Sequence, residues 1–478
     1  MIKLALARVN YSQLYSVYDD GKTFKQRDIL TPYHLLSLAS YMEQYGVDVR
    51  IFDAEVDLMT QEKLAISILE WDPDFVGITT TTPDINLDFQ VCRLLKDGKP
   101  SIVTVFGGSH SSAIPHDVAL NKYVDHVVVG DGESALLDIV HGRYHDTDDK
   151  IIYSKVQDVK TLPMPAHHLI DYEKYKFSDP HHGRVRTASI MSARGCPFEC
   201  NFCFHNRNVR YREVDDFIAE IGYLYAVKGV KYFYVYDDTF FIRKSRISEI
   251  ANRIKDLQIS DAYFQCLTRG NTIYPDLLEE LRAINFVRVS MGIESGSDQT
   301  LLNAHKGVSK SDYINACEIL HSTGMETRGS FIIGHPYENQ DSVFETIEFS
   351  KELKLYHANF NIMTPYPGTE IYDKAKAGDG IYFREPHYAH EWDLYRRWGH
   401  SVVKTDELSG EQLESLQKKC QVEFYTQDKL YNYYFFLFNE GNKSRYFYRP
   451  LNFAWNAKFN ENIPFWNDLE QGEVINPT

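Results

Sequence analysis

The chain has no run of about 18 apolar residues, few cysteines and no excess of positive charge. Each absence excludes something. Without a long apolar run, no membrane-spanning helix is expected. Seven cysteines among 478 residues are no disulfide scaffold. Lys+Arg number 51 against 67 Asp+Glu, a net charge of −16. Nucleic acid is therefore not an expected partner, because phosphate neutralisation needs a basic surface. The N-terminus, Met-Ile-Lys-Leu-Ala-Leu-Ala-Arg-Val, reads as a strand. It lacks the apolar core and small-residue cleavage site of a signal peptide, so the expected location is the cytosol. No fixed-period repeat or low-complexity block occurs. Apolar residues make up 43% and charged residues 25%, ordinary for a globular protein. The 33 tyrosines and 28 phenylalanines crowd most densely into Tyr431–Phe438 and Tyr446–Trp466, where packing is the simplest use for them.

Residues 1–145 alternate strands and helices. Ile2–Val9, Asp48–Phe52, Phe75–Thr79, Ser101–Phe106 and His126–Val129 read as strands, and Pro32–Tyr45 and Thr60–Leu69 as helices. That order predicts a Rossmann-like α/β domain with a parallel sheet. Ligands of such sheets bind at the carboxyl ends of the strands. Thr79–Thr82, Gly107-Gly108-Ser109-His110 and Gly130-Asp131-Gly132-Glu133 fall there. Residues 146–185 are expected to link two domains, with Leu162-Pro163-Met164-Pro165 and Asp179-Pro180-His181-His182 breaking the pattern. Over 186–370 the alternation resumes. Thr187–Ser192, Tyr232–Tyr236, Tyr263–Leu267, Phe286–Met291, Thr327–Ile333 and Ala358–Met363 give six βα units, which predict a partial (β/α)6 TIM barrel. Residues 371–478 read as a helical, aromatic-rich segment, with Gly410–Phe424 its clearest amphipathic helix.

Three of the seven cysteines, Cys196, Cys200 and Cys203, fall within eight residues. The string is Arg194-Gly195-Cys196-Pro197-Phe198-Glu199-Cys200-Asn201-Phe202-Cys203-Phe204-His205. C-x3-C-x2-C after a strand gathers three thiolates. A cubane cluster normally takes four, so three leave one iron open to another ligand. Structural zinc on the three cysteines and His205 is the alternative, although no second ligand pair follows.

This string, with Phe202 before the third cysteine, resembles the radical S-adenosylmethionine signature. The resemblance implies a [4Fe–4S] cluster on Cys196, Cys200 and Cys203 whose open iron chelates S-adenosylmethionine. One electron from an external flavodoxin- or ferredoxin-type reductant then yields a 5′-deoxyadenosyl radical. Tyr236-Asp237-Asp238-Thr239-Phe240 resembles the family's acidic motif for the methionine amino group. Met291 to Ser297, with Glu294 and Ser295, resembles the segment near the carboxylate and ribose. Phe331 to Pro336, with Gly334 and Pro336, resembles the adenine-contacting element. Thr364 to Thr369 resembles the close of the sixth strand. Arg269, after a strand end, is placed to pair with the cofactor carboxylate or with another barrel residue. Taken alone, Asp237-Asp238 also reads as a helix cap and Gly334-His335-Pro336 as a turn.

The N-terminal domain admits three readings. G-x-G-x-x-A at Gly130–Ala135 suggests a dinucleotide site, but it follows the fifth strand rather than the first. Pro32–Ala39, Val76–Thr79, Gly107–His110 and Gly130–Glu133 ahead of such a barrel resemble the cobalamin-binding (class B type) radical S-adenosylmethionine enzymes. That resemblance implies cobalamin between the sheet edge and the barrel mouth, contacted by Thr79, Thr80, Gly107, Gly108, Gly130 and Glu133. The D-x-H-x-x-G string is absent, so the third reading, a domain without cobalamin, stays open. Methylthiotransferases share the barrel motifs, but the N-terminal domain here offers only Cys92 and the C-terminus is not basic.

The implied activity is methylation of an unactivated carbon of a small-molecule or natural-product substrate. Radical cyclisation, dehydration or rearrangement is the alternative within the class, and a non-enzymatic corrinoid-binding protein with a structural metal is the alternative outside it. Tyr366, His335, Tyr388, Trp392 and Tyr431–Phe438 are candidate lining. No residue is singled out as a catalytic acid or base.

Overall fold

The structure is a computed structural model. It describes residues 1–10, 29–144, 149–179 and 183–426, with the single positions Lys429 and Lys458. The densest aromatic clusters, Tyr431–Phe438 and Tyr446–Trp466, lie outside the described residues. No helix among the described residues is long and apolar enough to cross a membrane.

Strands β1 (Lys3–Arg8), β2 (Asp48–Asp53), β3 (Phe75–Thr79), β4 (Val103–Gly107), β5 (His126–Val129) and β6 (Ile151–Tyr153) form a six-stranded sheet in the order β2-β1-β3-β4-β5-β6. Every pairing in it is parallel. The central strands are buried through their middles, as Lys-Leu-Ala-Leu-Ala-Arg in β1 shows. A parallel sheet covered by helices on both faces requires continuous apolar runs of this kind.

A second, seven-stranded sheet has the order β15-β14-β13-β12-β11-β8-β7. Its strands are β7 (Lys176–Asp179), β8 (Gly183–Ile190), β11 (Tyr232–Val235), β12 (Tyr263–Thr268), β13 (Phe286–Glu294), β14 (Glu326–Ile333) and β15 (His357–Ile362). From β8 to β15 the neighbours are parallel, the open (β/α)6 partial barrel expected. A short ribbon, β9 (Ala193–Arg194) against β10 (Arg210–Tyr211), hangs from the end of β8.

The stretch expected only to link the domains contributes to both. β6 extends the first sheet, and β7 pairs antiparallel with β8 at the edge of the second. Short strands flanked by Pro and charge carry too weak a period to read from the sequence. Beyond residue 370, helices Glu370–Ala377 and Gly410–Phe424 are joined by a ribbon of β16 (Ile381–Phe383) and β17 (Val403–Thr405), so this segment is not purely helical. The Gly410–Phe424 helix seals the open side at β15, where Gln417 Nε2 donates to the Phe360 carbonyl at 2.8 Å.

The two sheets meet through their carboxyl ends. Ser189 N, at the end of β8, donates to Thr31 Oγ1 at 2.9 Å. Arg212 Nη1 donates to Tyr33 OH at 3.0 Å. On the far side, the His110 and Trp392 rings meet edge-on at 5.1 Å, and Asn86 Nδ2 donates to Asp393 Oδ1 at 3.0 Å. The N-terminal sheet therefore lies over the barrel mouth, with loops of both facing one another.

Candidate active site

The cysteines sit on the loop closed by the β9–β10 ribbon. Gly195 makes that closure possible. Its φ is +94°, and a Cβ there would lie 2.5 Å from the Asn208 carbonyl oxygen. Cys196 N then donates to the Asn206 carbonyl at 2.9 Å. The three thiols converge: burial first, then the charges of Cys200, Asp238 and Cys196, push the Cys203 thiol up to about 12. Thiols gathered in this way suit a cationic group that ligates them as thiolates. His205, the fourth zinc ligand considered above, has Nε2 2.8 Å from the Phe198 carbonyl.

Two cations face this loop. The Arg269 guanidinium lies 3.6 Å from the centre of the Phe198 ring, and its Nη1 is 3.6 Å from Cys200 Sγ. Its Nε and Nη2 are buried with no hydrogen-bond partner. Buried donors are normally satisfied, so two orphans on one buried guanidinium mark a place made for an anion. Lys306 is the second cation, and no motif pointed to it. Its Nζ donates to Glu294 Oε1 at 2.8 Å and stands 5.8 Å from the centre of the Phe202 ring. Burial acts to lower the Lys306 pKa, but the Glu294 carboxylate, Tyr313 and Cys200 together offset it and the net shift is upward. Glu294 reaches this position through a register shift in β13 and a φ of +71°. Strain at a non-glycine residue of this kind persists where surrounding structure enforces it.

The acidic pair divides. Asp237 is buried and accepts from Ser192 N at 2.7 Å and Ser192 Oγ at 2.6 Å. Each of its oxygens already accepts one hydrogen bond from Ser192. Asp238 is exposed toward the loop and accepts only from Gly195 N, at 3.1 Å. Ser295 is likewise turned away: its hydroxyl meets Thr346 Oγ1 at 3.2 Å and accepts from Ser297 N at 3.2 Å. At the end of β14, Gly334 N donates to Glu338 Oε2 at 2.6 Å, folding the turn that carries His335 and Pro336. Both His335 nitrogens are buried without a partner, and its ring stands edge-on to Phe202 at 6.0 Å. Burial, then the Lys306 charge, pushes that imidazole down to about 3. A neutral imidazole with both ring nitrogens unused can both donate and accept at a ligand edge.

On the N-terminal side the expected cobalamin contacts also divide. Thr80 is fully buried and its hydroxyl is taken by the Gly107 carbonyl at 2.9 Å and Ser111 Oγ at 2.8 Å. Gly108 has φ +104°, and a Cβ there would lie 2.6 Å from the Thr80 carbonyl oxygen. That glycine allows the close approach of the Thr80 backbone. Gly107 and Gly130 differ. A Cβ at Gly107 would meet nothing within 4 Å, and one at Gly130 only the Ser154 carbonyl oxygen at 3.9 Å. Thr79 is half-buried beside them. Glu133 is half used: Oε1 accepts from Arg194 Nη2 at 2.6 Å, while Oε2 is buried with no hydrogen-bond partner. Asp131 accepts from Arg194 Nη1 at 3.2 Å and Arg210 Nη1 at 2.5 Å. Buried ion pairs thus join the β5 loop directly to the stalk of the cysteine loop.

Between the sheets, His34 and Tyr236 face each other at 6.1 Å. Both side chains are exposed to a water-sized molecule. Burial, then the Arg194 charge, nevertheless pushes His34 down to about 4. A group that water reaches while protein surrounds it lines a cleft or cavity between the sheets. Open glycines on one wall, and unpartnered cation and imidazole groups on the other, fit a bulky corrinoid and an anionic, nitrogen-rich nucleoside ligand.

Fold and site together define an α/β protein in which a three-cysteine loop lies at the mouth of a partial barrel capped by a Rossmann-like domain. The radical SAM superfamily model matches residues 190–350 and the B12 binding domain model residues 25–140. The chain is 30% identical over 421 residues to the uncharacterized methyltransferase PH0819 of Pyrococcus horikoshii, covering 84% of this chain and 88% of the other. It is 26% identical to the anaerobic magnesium-protoporphyrin IX monomethyl ester cyclase of Rubrivivax gelatinosus over 70% of this chain, but spans only 65% of that protein. The fold is shared with TsrM, a radical S-adenosylmethionine methyltransferase from Kitasatospora setae, at a TM-score of 0.66 and 14% identity, covering 89% of this chain and 88% of TsrM. The chain belongs to the radical SAM enzymes that carry a B12-binding domain. The cofactors of that class are a [4Fe–4S] cluster, S-adenosylmethionine and cobalamin, and the dinucleotide reading of Gly130–Ala135 falls.

Proposed function

We propose that the protein is a methyltransferase that acts on an unactivated carbon of a small molecule. The observation that carries this is the joining of the two cofactor platforms: Arg194, next to the cysteine loop, is bonded to Glu133 and Asp131 of the N-terminal domain. Methyl transfer needs a radical source and a methyl carrier held over one substrate, and this contact fixes one platform on the other. A relative named as a methyltransferase over 84% of the chain agrees with it.

Bound together, the cluster and S-adenosylmethionine supply a radical that removes a substrate hydrogen, and cobalamin supplies the methyl group. The protein does the rest by position. Cys196, Cys200 and Cys203 hold the cluster. Arg269 receives the methionine carboxylate with its two orphan donors, and Asp238 accepts from the ammonium. His335, Gly334 and Pro336 line the adenine side, with Phe202 against them. Glu294 keeps Lys306 charged beside Phe202. Gly107, Gly130 and Thr79 leave room for the corrin. The covered mouth excludes water from the reacting carbon.

Anaerobic turnover with S-adenosylmethionine labelled by deuterium at the methyl group tests this. The expected products are 5′-deoxyadenosine and a small molecule that has gained a labelled methyl. A product that instead loses two hydrogens or water, with no label gained, supports the cyclase or dehydratase reading, which the likeness to the Rubrivivax gelatinosus cyclase favours. Iron content separates both from a corrinoid binder with structural zinc.

A further inference from the structure

We propose that the substrate is a compact polar molecule, about one sugar ring in size and carrying hydroxyl or amide groups. The inward side chains of β13, β14 and β15 select it. The proposal deepens the methyltransferase reading and rests on it.

A packed α/β barrel has no lumen, because bulky branched side chains fill its centre. Here the inward positions of the last three strands carry small or polar residues instead. They are Ser290 and Gly292 on β13, Ser330 on β14, and Asn359 and Asn361 on β15. Strand pairing sets them in levels. Ser290 lies beside Leu267 and Arg328, Gly292 beside Ser330, and Ser330 beside Asn359. The exposure pattern of β14 shows the consequence. Thr327, Gly329, Phe331 and Ile333 face the covering helices and are buried. Arg328, Ser330 and Ile332, which alternate with them, are only half-buried. Water therefore reaches the centre of the barrel. It does not enter from below, where Arg288 Nη1 donates to Tyr232 OH at 2.5 Å and Gln265 Oε1 at 3.4 Å, all three residues buried. The lumen is a blind chamber that opens at the mouth. There it adjoins the site, since a Cβ at Gly292 would collide with Glu294 Oε1 and lie 3.1 Å from Lys306 Nζ.

Size and chemistry of the occupant follow from this lining. From the level of Ser290 and His357 up to Asn361 is four residues, a depth of roughly 13 Å. About eight closed strands enclose room for one small ligand, and the six parallel strands here enclose less. A rigid macrocycle such as the magnesium-protoporphyrin named for the Rubrivivax gelatinosus relative is too broad to enter. The walls offer hydrogen-bonding groups that no described residue uses. Ser290 Oγ has no partner among the described residues, nor have the hydroxyls of Tyr234 and Tyr236, whose rings stand 5.7 Å apart on β11. Asn361 Nδ2 donates to Ser330 Oγ at 3.2 Å and to the Phe331 carbonyl at 3.4 Å, which leaves its Oδ1 to accept. Asn359 Oδ1 is 3.2 Å from His357 Nε2, which leaves its Nδ2 to donate. Donors and acceptors on facing walls suit a molecule that presents both around a ring. Such a ligand replaces the hydrogen bonds of the water it displaces, whereas an apolar ligand of the same size does not.

Saturation-transfer NMR on the full chain tests the proposal without turnover, using myo-inositol, N-acetylglucosamine and toluene as probes. At least one of the two polar rings is expected to receive saturation, and toluene none. Ser290→Leu and Ser330→Leu supply the filler of a packed barrel, so both are expected to melt at or above the wild-type temperature. Each should bind the polar probe about tenfold more weakly or worse. Ser330→Ala keeps the space and removes one hydroxyl, which should weaken binding by roughly three- to tenfold. Transfer to neither polar ring overturns the proposal, as does transfer that survives both leucine variants. Preferential transfer to toluene overturns it too. So does a leucine variant that melts well below wild type, because the lumen would then already be filled by protein. Polar binding that the leucine variants abolish, together with no labelled methyl in any product of turnover, would keep the lumen assignment and overturn the methyltransfer reading instead.

Discussion

Gly107 and Gly108 are adjacent, yet substitution should separate them completely. At Gly108 any side chain must adopt φ +104° and place its Cβ 2.6 Å from the Thr80 carbonyl oxygen and 2.8 Å from its nitrogen. The backbone strain alone costs roughly 1–3 kcal/mol. The contact adds to it, because both offending atoms belong to a backbone pinned by the Thr80 N to Gly107 carbonyl bond at 2.7 Å. Taking about 2 kcal/mol, Gly108→Ala should lower the melting temperature of the N-terminal domain by roughly 4–8 °C. Gly107→Leu meets open space, and removing a strand glycine is neutral or favourable by up to about 1 kcal/mol. It should therefore melt like wild type. Its side chain fills the space at the carboxyl end of β4, so hydroxocobalamin reconstitution should give the corrinoid spectrum in wild type and lose most of it in Gly107→Leu. Full corrinoid retention by a stable Gly107→Leu would refute the placement of the ligand. Wild-type melting of Gly108→Ala would refute the steric account of the glycine pair.

Replacing Cys196, Cys200 or Cys203 singly with Ala should remove most of the iron and abolish 5′-deoxyadenosine formation; an iron assay with retained cleavage would sink the ligand assignment. Lys306→Met leaves the Glu294 carboxylate buried and uncompensated and should cost about 3–5 kcal/mol in denaturant melts, whereas adding Glu294→Gln should recover much of it; additive losses would show that the pair is not coupled. Asp238→Asn should weaken S-adenosylmethionine binding in calorimetry with the cluster intact, while Asp237→Asn, which disturbs Ser192, should act on stability; the reverse pattern would reassign the two. The lowered imidazole pKa of His335, about 3, means that the unfolded chain takes up a proton near pH 6.5 that the folded chain refuses. Its contribution to stability is present above about 6.5 and declines by about 1.4 kcal/mol per unit as the pH falls toward 3. His335→Leu should flatten that slope in pH-dependent melts, and an unchanged slope would place the orphaned ring in contact with water.

Composition and order determined much of this protein directly. Short continuous apolar runs bounded by turn residues, such as Leu4–Ala7 and Val76–Ile78, read as buried parallel strands, and alternation with helices then points to two α/β units. The C-x3-C-x2-C string brings its thiols together because the intervening loop is too short to do otherwise. What one-dimensional order could not decide is where a polar side chain spends its bonds. Asp237 and Asp238 are neighbours with the same chemistry, but Ser192 sits over one and not the other. Thr80, Ser295 and Glu133 lie on the expected loops, yet each is claimed by a partner distant in the chain: Gly107 and Ser111, Thr346, and Arg194. Lys306 carries no motif at all and enters the site only because a register shift in β13 aims Glu294 at it. Hydrogen bonds and ion pairs are short-ranged and directional, so tertiary packing alone assigns them, and with them the division between residues that build the chamber and residues that face into it.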